Sequence, residues 1–345
     1  MAFLLSFAFA LAALVSAAWW VLARRRRRAP PRPAVPVTAA PAPVPGSAVA
    51  PAPGGAGLGG APAGWRGAAE LAQAEREGLA HRLERIPRPP RLLDQLLSRE
   101  FVNSASARAL ADLIVADPVL AARVLKTVNS PYHGLRQPVG SVEQAVQHLG
   151  TTAIRVVCLR YLFVAAFPVA DFSRRRALQD GWACSALSAD MAQHLWPALG
   201  LPDVGHWSSA LVMSWLGRLA AVAGTGLDHL GQRPVSRGAA LAAWEQDHWG
   251  LAAPELGRFL MGHWGLPEAT LRDATAIAWA PVAGLPPTAG DALAAAALCA
   301  HLADALVDAR LPNLAAWEPA ADAEAGALGL AHWPPERLAP WLAAL

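Results

Sequence analysis

The chain has 345 residues, of which 54% are hydrophobic and 16% charged, and its mean hydropathy is +0.28. This apolar composition excludes a disordered or fibrous protein. The first 64 residues hold six Arg and no acid, so subtracting them from the formal net charge of +3 leaves −3 for residues 65–345. A body without clustered Lys and Arg offers no electrostatic footprint for nucleic acid.

The amino terminus has the composition of a membrane anchor. Residues 2–22 carry no charge and would form a helix about 31 Å long, which matches the hydrocarbon thickness of a bilayer. Trp19 and Trp20 lie at its end, and the five arginines 24–28 follow directly. A cleaved secretory signal is the alternative, but such signals place their positive charge before the apolar core. We therefore predict an uncleaved transmembrane anchor over residues 1–23.

The charge order also predicts the orientation of the chain. Arginine clusters stay on the cytoplasmic side, so we expect a single-pass protein of the inner membrane whose carboxyl-terminal body lies in the cytoplasm. Residues 24–64 form the basic juxtamembrane stretch and a linker. Ten Pro with many Ala and Gly and no acid, over residues 29–64, predict an extended or disordered spacer.

From Trp65 onward the apolar spacing is helical, and no run alternates as a half-buried strand does, which predicts an all-α body. Ser106 is expected to cap a helix that runs to Ala116, and Asp117 followed by Pro118 is expected to begin the next. The residues expected to be buried in these two helices are Leu110, Leu113, Ile114, Leu120, Val124, Leu125 and Val128.

A break is predicted at Asn129-Ser130-Pro131, because proline disfavours helical geometry at the preceding residue. After a loop to Gly140, Ser141 is expected to cap another helix, with Gln144 as its capping-box partner. This helix is expected to end at Gly150, and Thr151 or Thr152 to cap the next, which would carry Ile154, Val157 and Leu159.

Residues 117–150, DPVLAARVLKTVNSPYHGLRQPVGSVEQAVQHLG, resemble the opening half of the HDOD domain family. The Pro-rich stretch 86–90 is similar to the family's entry segment, and the likeness extends more weakly to about residue 285. The resemblance implies an HD-like bundle in two helical halves, which we place at residues 65–285. The apolar spacing predicts that residues 286–345 add a carboxyl-terminal helical extension. The resemblance also implies bacterial origin and a role in signal transduction.

The HDOD family resembles the HD-domain phosphohydrolases, in which a His, a His-Asp pair and further His residues hold a metal ion that activates water. No His-Asp dipeptide occurs in this chain. An alignment by hand places other residues at the ligand positions, namely Cys184, Ser214, Trp215, Ala253, Ala278 and Trp279. We therefore predict no catalytic, cofactor-binding or metal-ligating residue, no cofactor and no enzymatic activity.

The nearest substitutes for the lost ligands are Asp228-His229 and Asp247-His248, which we interpret as surface polar groups because adjacent helical residues point about 100° apart. Single histidines are expected to be satisfied polar groups; these are His133, His148, His194 and His263. The cysteines have no metal-ligand spacing and are expected to be small buried residues; these are Cys158, Cys184 and Cys299.

Fourteen Trp is a high number, and most are expected in the core. Those of the second half of the body are Trp207, Trp215, Trp244, Trp249, Trp264 and Trp279. Trp215 lies at the position that the His-Asp pair holds in the HD-domain phosphohydrolases, which we call the doublet position. Its indole could fill the former metal pocket there. The charged run DFSRRR, residues 171–176, is interpreted as a solvated linker between the two helical halves, with a docking surface for an acidic partner as the alternative.

These observations together predict a non-catalytic, membrane-anchored HDOD regulatory module that contacts a protein partner of unknown identity. Two alternatives stay open. One is a metal-dependent HD-type phosphohydrolase with an unrecognised ligand set, and the other is a sensor that binds a nucleotide without hydrolysing it. Nothing in the sequence favours a nucleotide ligand.

Overall fold

The computed structural model describes residues 60–84, 86–88, 92–98, 101–102, 106–130, 133, 135, 137–167, 172–226, 229, 231–234, 238–309 and 328. The predicted anchor over residues 1–23 and nearly all of the predicted linker over residues 24–64 lie outside these ranges. Within them the chain is helical and contains no strand, so the all-α prediction is confirmed for the described part of the body.

A short 3₁₀ helix, Ala68–Glu70, precedes the α-helices. In chain order these are α1 (Gln73–Leu83), α2 (Leu92–Leu97), α3 (Ala107–Val115), α4 (Pro118–Val128), α5 (Val142–Ala166), α6 (Phe172–Leu199), α7 (Val204–Ser214), α8 (Leu216–Gly224), α9 (Ala239–Trp249), α10 (Ala253–His263), α11 (Glu268–Ala283) and α12 (Asp291–Asp308).

Three helices of the first half begin at the capping residues that the sequence predicts. The Ser106 side chain accepts a hydrogen bond from the Ala109 amide at 3.1 Å. One Asp117 carboxylate oxygen accepts from two amides of the first turn of α4, both at 3.0 Å. Ser141 accepts from the Gln144 amide at 3.2 Å. Among the side chains expected to be buried, Leu113 and Leu125 are half-buried and the other five are buried.

The loop between α4 and α5 is closed by a single side chain. The Asn129 amide nitrogen donates to the Val139 carbonyl at 2.9 Å, and its oxygen accepts from the Val139 amide at 2.7 Å. The predicted break is therefore present. The capping box differs from the prediction by one residue, because the Gln144 side chain accepts from the Gly140 amide at 3.0 Å instead of from that of Ser141.

Helix α5 continues past Gly150, where the sequence predicts its end. Gly150 itself is non-helical, with φ 82° and ψ 163°, so the predicted boundary is a kink within one element. Within the described residues, α5 is also the one helix long and apolar enough to cross a membrane by length and composition, and 44% of its most apolar stretch is buried. Its buried apolar residues, Ile154 and Leu159 among them, belong to the main core.

Helix α6 includes residues that the sequence analysis interprets as a linker. Residues 172–176, interpreted from sequence as a solvated linker, form the first turns of α6. The Arg174 guanidinium donates to the Ala223 carbonyl at 3.2 Å, which is 49 positions away. The charge run is therefore part of a packed helix, and the linker interpretation of these residues is wrong.

In the second half, α7 packs against both α6 and α11, while α12 lies along α6. Helices α8 and α10 cross at two glycines. A Cβ atom on Gly217 would overlap the carbonyl oxygen of Ala253, and one on Gly257 would lie 2.9 Å from the Gly217 nitrogen. Only glycine allows the two backbones to approach so closely.

Helix α12 lies beyond the region with family likeness but belongs to the main core. Its buried residues include Leu298 and Leu302. A small second cluster lies apart from this core and consists of Ala242, Ala252 and Trp279, with Ala61, Trp65 and Val282 packed against them.

Candidate functional site

A pocket of about 50 Å³ lies where the end of α7 and the helices α8 to α12 meet. That volume has room for a few water molecules. Four of the six predicted ligand positions line it, which are Ser214, Trp215, Ala253 and Ala278. The fold therefore brings these four aligned positions together in one pocket, although they lie up to 64 positions apart in the sequence.

The other two predicted positions lie beside the pocket. The Cys184 sulfur is 3.7 Å from a carboxylate oxygen of Asp304, which does line the pocket. Trp279 is absent from the lining, and its indole nitrogen donates to Glu255 at 3.0 Å. Trp279 therefore serves a different contact from the other five positions.

The doublet position is occupied by a buried indole that is hydrogen-bonded to a neighbouring helix. The Trp215 indole is 6% exposed and its nitrogen donates to the Ser188 hydroxyl at 3.3 Å. The Arg218 guanidinium carbon lies 4.9 Å from the centre of the ring, a cation–π contact. The same guanidinium donates to Asp304 at 2.8 Å. A ring, a cation and a carboxylate thus form one stack on the pocket wall.

Glu245 is the acid that sequence reasoning missed. It is 2% exposed, and one carboxylate oxygen accepts from the Ala253 amide at 3.0 Å. The other oxygen makes no hydrogen bond and lies 3.8 Å from an Arg233 nitrogen. Burial raises the pKa of Glu245, and the charges of Arg218 and Arg233 oppose that rise. Nothing in the local sequence of α9 distinguishes this buried Glu from an exposed one.

A second polar contact that the sequence did not reveal joins α7 to α11. His206 Nε2 lies 2.7 Å from Asp273, which also accepts from Arg272 at 2.8 Å. Burial acts to raise the pKa of Asp273, but the hydrogen bonds from His206 and Arg272 outweigh it, and the net pKa is lowered. His206 and Asp273 are therefore in contact although they lie 67 positions apart in the sequence, and neither of them lines the pocket.

The two predicted acid–histidine pairs are only partly described, since Asp228 lies outside the described residues. The rings of His229 and His248 are 4.9 Å apart, and Trp244 stacks on His248 at 5.2 Å. Burial, Arg82 and His229 lower the pKa of His248. Within the described ranges, no group of three or more His, Cys, Asp or Glu side chains is placed to hold a metal ion.

The remaining predictions concern single residues. Trp215, Trp249, Trp264 and Trp279 are buried, as expected, while Trp207 and Trp244 are half-buried. All three cysteines are buried, and burial raises the pKa of Cys158 to about 12. Three of the four single histidines are exposed and the other is half-buried; the exposed ones are His148, His194 and His263.

The order of the helices and the position of the pocket define a helical domain of the HD-like class. The chain belongs to the HDOD family, because the model of the HDOD domain matches residues 86–281, more than half of the chain. The prediction made from residues 117–150 is therefore confirmed. No curated protein matches the chain.

Two solved structures, the first two described below, share this fold, and a third is more distant. An HDOD domain protein of unknown function from Geobacter sulfurreducens is 20% identical, with a TM-score of 0.52; the match covers 67% of this chain and 78% of that one. A candidate phosphohydrolase from Shewanella amazonensis SB2B is 22% identical, with a TM-score of 0.54 and coverage of 77% and 93%. A candidate signal transduction protein from Marinobacter aquaeolei VT8 is 17% identical, with a TM-score of 0.47 and coverage of 80% and 66%.

Proposed function

We propose that this chain is a non-catalytic, membrane-anchored HDOD regulator that acts in signal transduction by binding a protein partner. Membership of the HDOD family supports the regulatory role. The stack of Trp215, Arg218 and Asp304 on the pocket wall carries the proposal that the domain has no hydrolytic activity.

The stack argues against hydrolysis through its charge. Metal-assisted hydrolysis needs imidazole and carboxylate ligands that converge on a cation. Here a guanidinium lies 2.8 Å from Asp304 and so supplies the positive charge at that carboxylate. A divalent cation brought to Asp304 would be repelled by Arg218 at close range. The indole of Trp215 occupies the doublet position beside it.

The pocket volume bears on the nucleotide-sensor alternative. Pockets for small-molecule ligands typically measure about 300–1,000 Å³. A cavity of about 50 Å³ is several times too small for a nucleotide. A nucleotide therefore does not fit this pocket as it stands, which speaks against the sensor alternative at the former metal site.

The catalytic part of the proposal is tested with the purified full chain. We expect less than stoichiometric Mn, Fe and Mg by elemental analysis, no phosphodiesterase turnover, and no saturable heat on calorimetric titration with cyclic dinucleotides. The Trp215→Ala variant serves as a comparison, because binding gained by that variant alone would show that the indole excludes the nucleotide. Bound metal together with turnover by the unaltered chain would establish the phosphohydrolase instead.

The membrane part of the proposal rests on the apolar residues 2–22 and the arginines 24–28. A reporter that is active only in the periplasm, fused after Leu345, is expected to be inactive, whereas a cytoplasmic reporter at the same site is expected to be active. The opposite pattern would reverse the orientation. Recovery of the chain without membranes after fractionation would refute the anchor.

A further inference from the structure

The chain enters the domain through a short segment that lies across its second half. We call residues 60–71 the entry strap; they come before the part of the chain that matches the HDOD domain, residues 86–281. Gly67 and Leu71 have extended backbone angles on either side of the 3₁₀ helix. The strap contacts residues of α9, α10 and α11.

Side chains of the domain bind the main chain of the strap. The Arg66 amide donates to the Gln246 side-chain oxygen at 2.9 Å, and the Ala68 amide donates to Glu255 at 2.8 Å. Glu255 is 1% exposed, and its second oxygen accepts from the Trp279 indole at 3.0 Å. Recognition through main-chain groups is how proteins bind extended peptides of varied sequence.

One aromatic side chain anchors the beginning of the strap, whereas Leu71 at its other end is buried in the main core, against which Ala68 also packs. The Trp65 ring lies 5.4 Å from that of Trp279, and both belong to the small cluster that is separate from the main core. A satellite cluster opens at a lower free-energy cost than a core does, because few apolar contacts are lost with it. Two residues of this cluster, Ala242 and Val282, also line the pocket.

We propose that the surface formed by Ala242, Gln246, Ala252, Glu255 and Trp279 is a peptide-binding site, which the entry strap occupies within its own chain. The ligand that replaces the strap is an extended segment of a protein partner. Like Trp65, Arg66 and Ala68 of the strap, this segment has an aromatic residue and, one and three positions after it, main-chain N–H groups that can donate to the site. Binding of that segment displaces the strap. This inference rests on the proposed function and names the surface through which the regulator meets its partner.

The buried carboxylate is the reason that the site requires a ligand. Without the strap, one oxygen of Glu255 would lose the hydrogen bond from the Ala68 amide and would be left to water at the edge of an otherwise buried site. A peptide amide that restores this bond is therefore favoured at the site, whether it comes from the strap or from a partner. Because the strap is joined to α1 by a short connection, it competes at an effective concentration in the range of millimolar or above. Weakening the strap should then raise the affinity for a peptide supplied separately.

The probe is a fluorescein-labelled peptide of residues 60–72, titrated with the full chain in detergent and followed by fluorescence anisotropy. The Trp65→Ala variant, whose strap is weakened, is expected to bind this peptide at least tenfold more tightly than the unaltered chain. The double variant Trp65→Ala/Glu255→Gln is expected to bind the peptide at least tenfold more weakly than Trp65→Ala alone. The glutamine side chain would keep one acceptor oxygen for two donors, the peptide amide and the Trp279 indole. A peptide N-methylated at Ala68 should bind at least tenfold more weakly, and one N-methylated at Ala63 should bind like the original.

Two results would overturn the inference. One is the absence of saturable binding to the Trp65→Ala variant while its helical circular dichroism is that of the unaltered chain. The other is equal binding of the peptides methylated at Ala68 and Ala63. If the variant does not fold, amide hydrogen exchange of the unaltered chain is measured instead. Unlabelled peptide should speed the exchange of residues 65–69, because it displaces them from the site. An unchanged exchange rate would refute displacement. Failure here leaves the metal, turnover and topology tests of the proposed function unaffected.

Discussion

The two halves of this domain are specified in different ways. In the first half, α3, α4 and α5 each begin at a side chain that caps an amide within three residues. In the second half, the starts of α7 to α12 have no side-chain cap. Their positions depend instead on contacts between distant residues, such as His206 with Asp273 and Arg218 with Asp304. The first half is therefore encoded locally and the second by tertiary packing.

The glycine crossing of α8 and α10 offers the most severe test of this difference. In Gly217→Ala, the new Cβ would overlap a backbone oxygen of Ala253, which cannot rotate away as a side chain can. We expect the free energy of unfolding, measured by urea denaturation, to fall by about 3 kcal/mol. The control is Gly262→Ala in α10, whose Cβ would meet only Leu271 at 3.7 Å. That variant is expected to gain up to about 1 kcal/mol, and equal losses in both would contradict the prediction.

The Arg218–Asp304 ion pair should give the next largest effect. The two side chains are 22% and 15% exposed, so Arg218→Met removes a charged hydrogen bond from a largely enclosed carboxylate. We expect a loss of about 2 kcal/mol in the free energy of unfolding. The matched control is Arg258→Met, whose partner Glu268 is 72% exposed, with an expected loss below about 0.5 kcal/mol. A double-mutant cycle with Asp304→Asn that shows no coupling would refute this account.

Loss of a cap in the first half should cost less, because the capping side chain is only half-buried and lies at the end of a helix. Asp117→Ala removes the acceptor of two amides of α4, and we expect a loss of about 1 kcal/mol in thermal or urea unfolding. Asp117→Asn should retain most of the stability, since Asn caps about as well as Asp. Asp112→Ala, at an exposed position within α3, serves as the control and should change little. A larger loss at Asp112 than at Asp117 would show that the cap is not what stabilises α4.

The smallest expected effect is a difference in pH dependence at Glu245. Burial raises the pKa of Glu245 in the folded state above its ordinary value of 4.5, so the folded state binds more protons than the unfolded state between the two values. Stability contributed by this group is therefore present below pH 4.5 and is lost as the pH rises through the folded pKa. Relative to Glu245→Gln, the unaltered chain should lose stability between pH 4.5 and pH 7.

The control for this experiment is Glu268→Gln, at an exposed carboxylate. Its stability should follow that of the unaltered chain across the same pH range. If the unaltered chain instead gains stability over Glu245→Gln as the pH rises, the charges of Arg218 and Arg233 outweigh burial.

The same difference explains which features the sequence could predict. Ser106, Asp117 and Ser141 were found because a cap and its amide lie within a few residues of each other. Residues 172–176 do not form the expected linker, because the contact of Arg174 is made with Ala223, far along the chain. Local charge alone does not tell a solvated linker from a helix whose arginine reaches a distant carbonyl.

The candidate site was predicted in part, and the family resemblance was the reason. It located Ser214, Trp215, Ala253 and Ala278, which the fold brings to one pocket. It did not find Glu245, because burial of a helical Glu depends on which neighbouring helices cover it. The entry strap was missed for the same reason, since the Ala68 amide and Glu255 lie 187 positions apart.

The path of the chain at the entry strap also limits how a large molecule can approach the domain. Ala61 and Trp65 rest on Ala252 and Trp279, so residue 60 leaves the bundle on the same side as the pocket. A large molecule that approaches the pocket at Ala242 and Val282 therefore meets the entry strap there. Val115 and Val119, at the junction of α3 and α4, are more than half exposed and lie outside both the strap and the pocket lining.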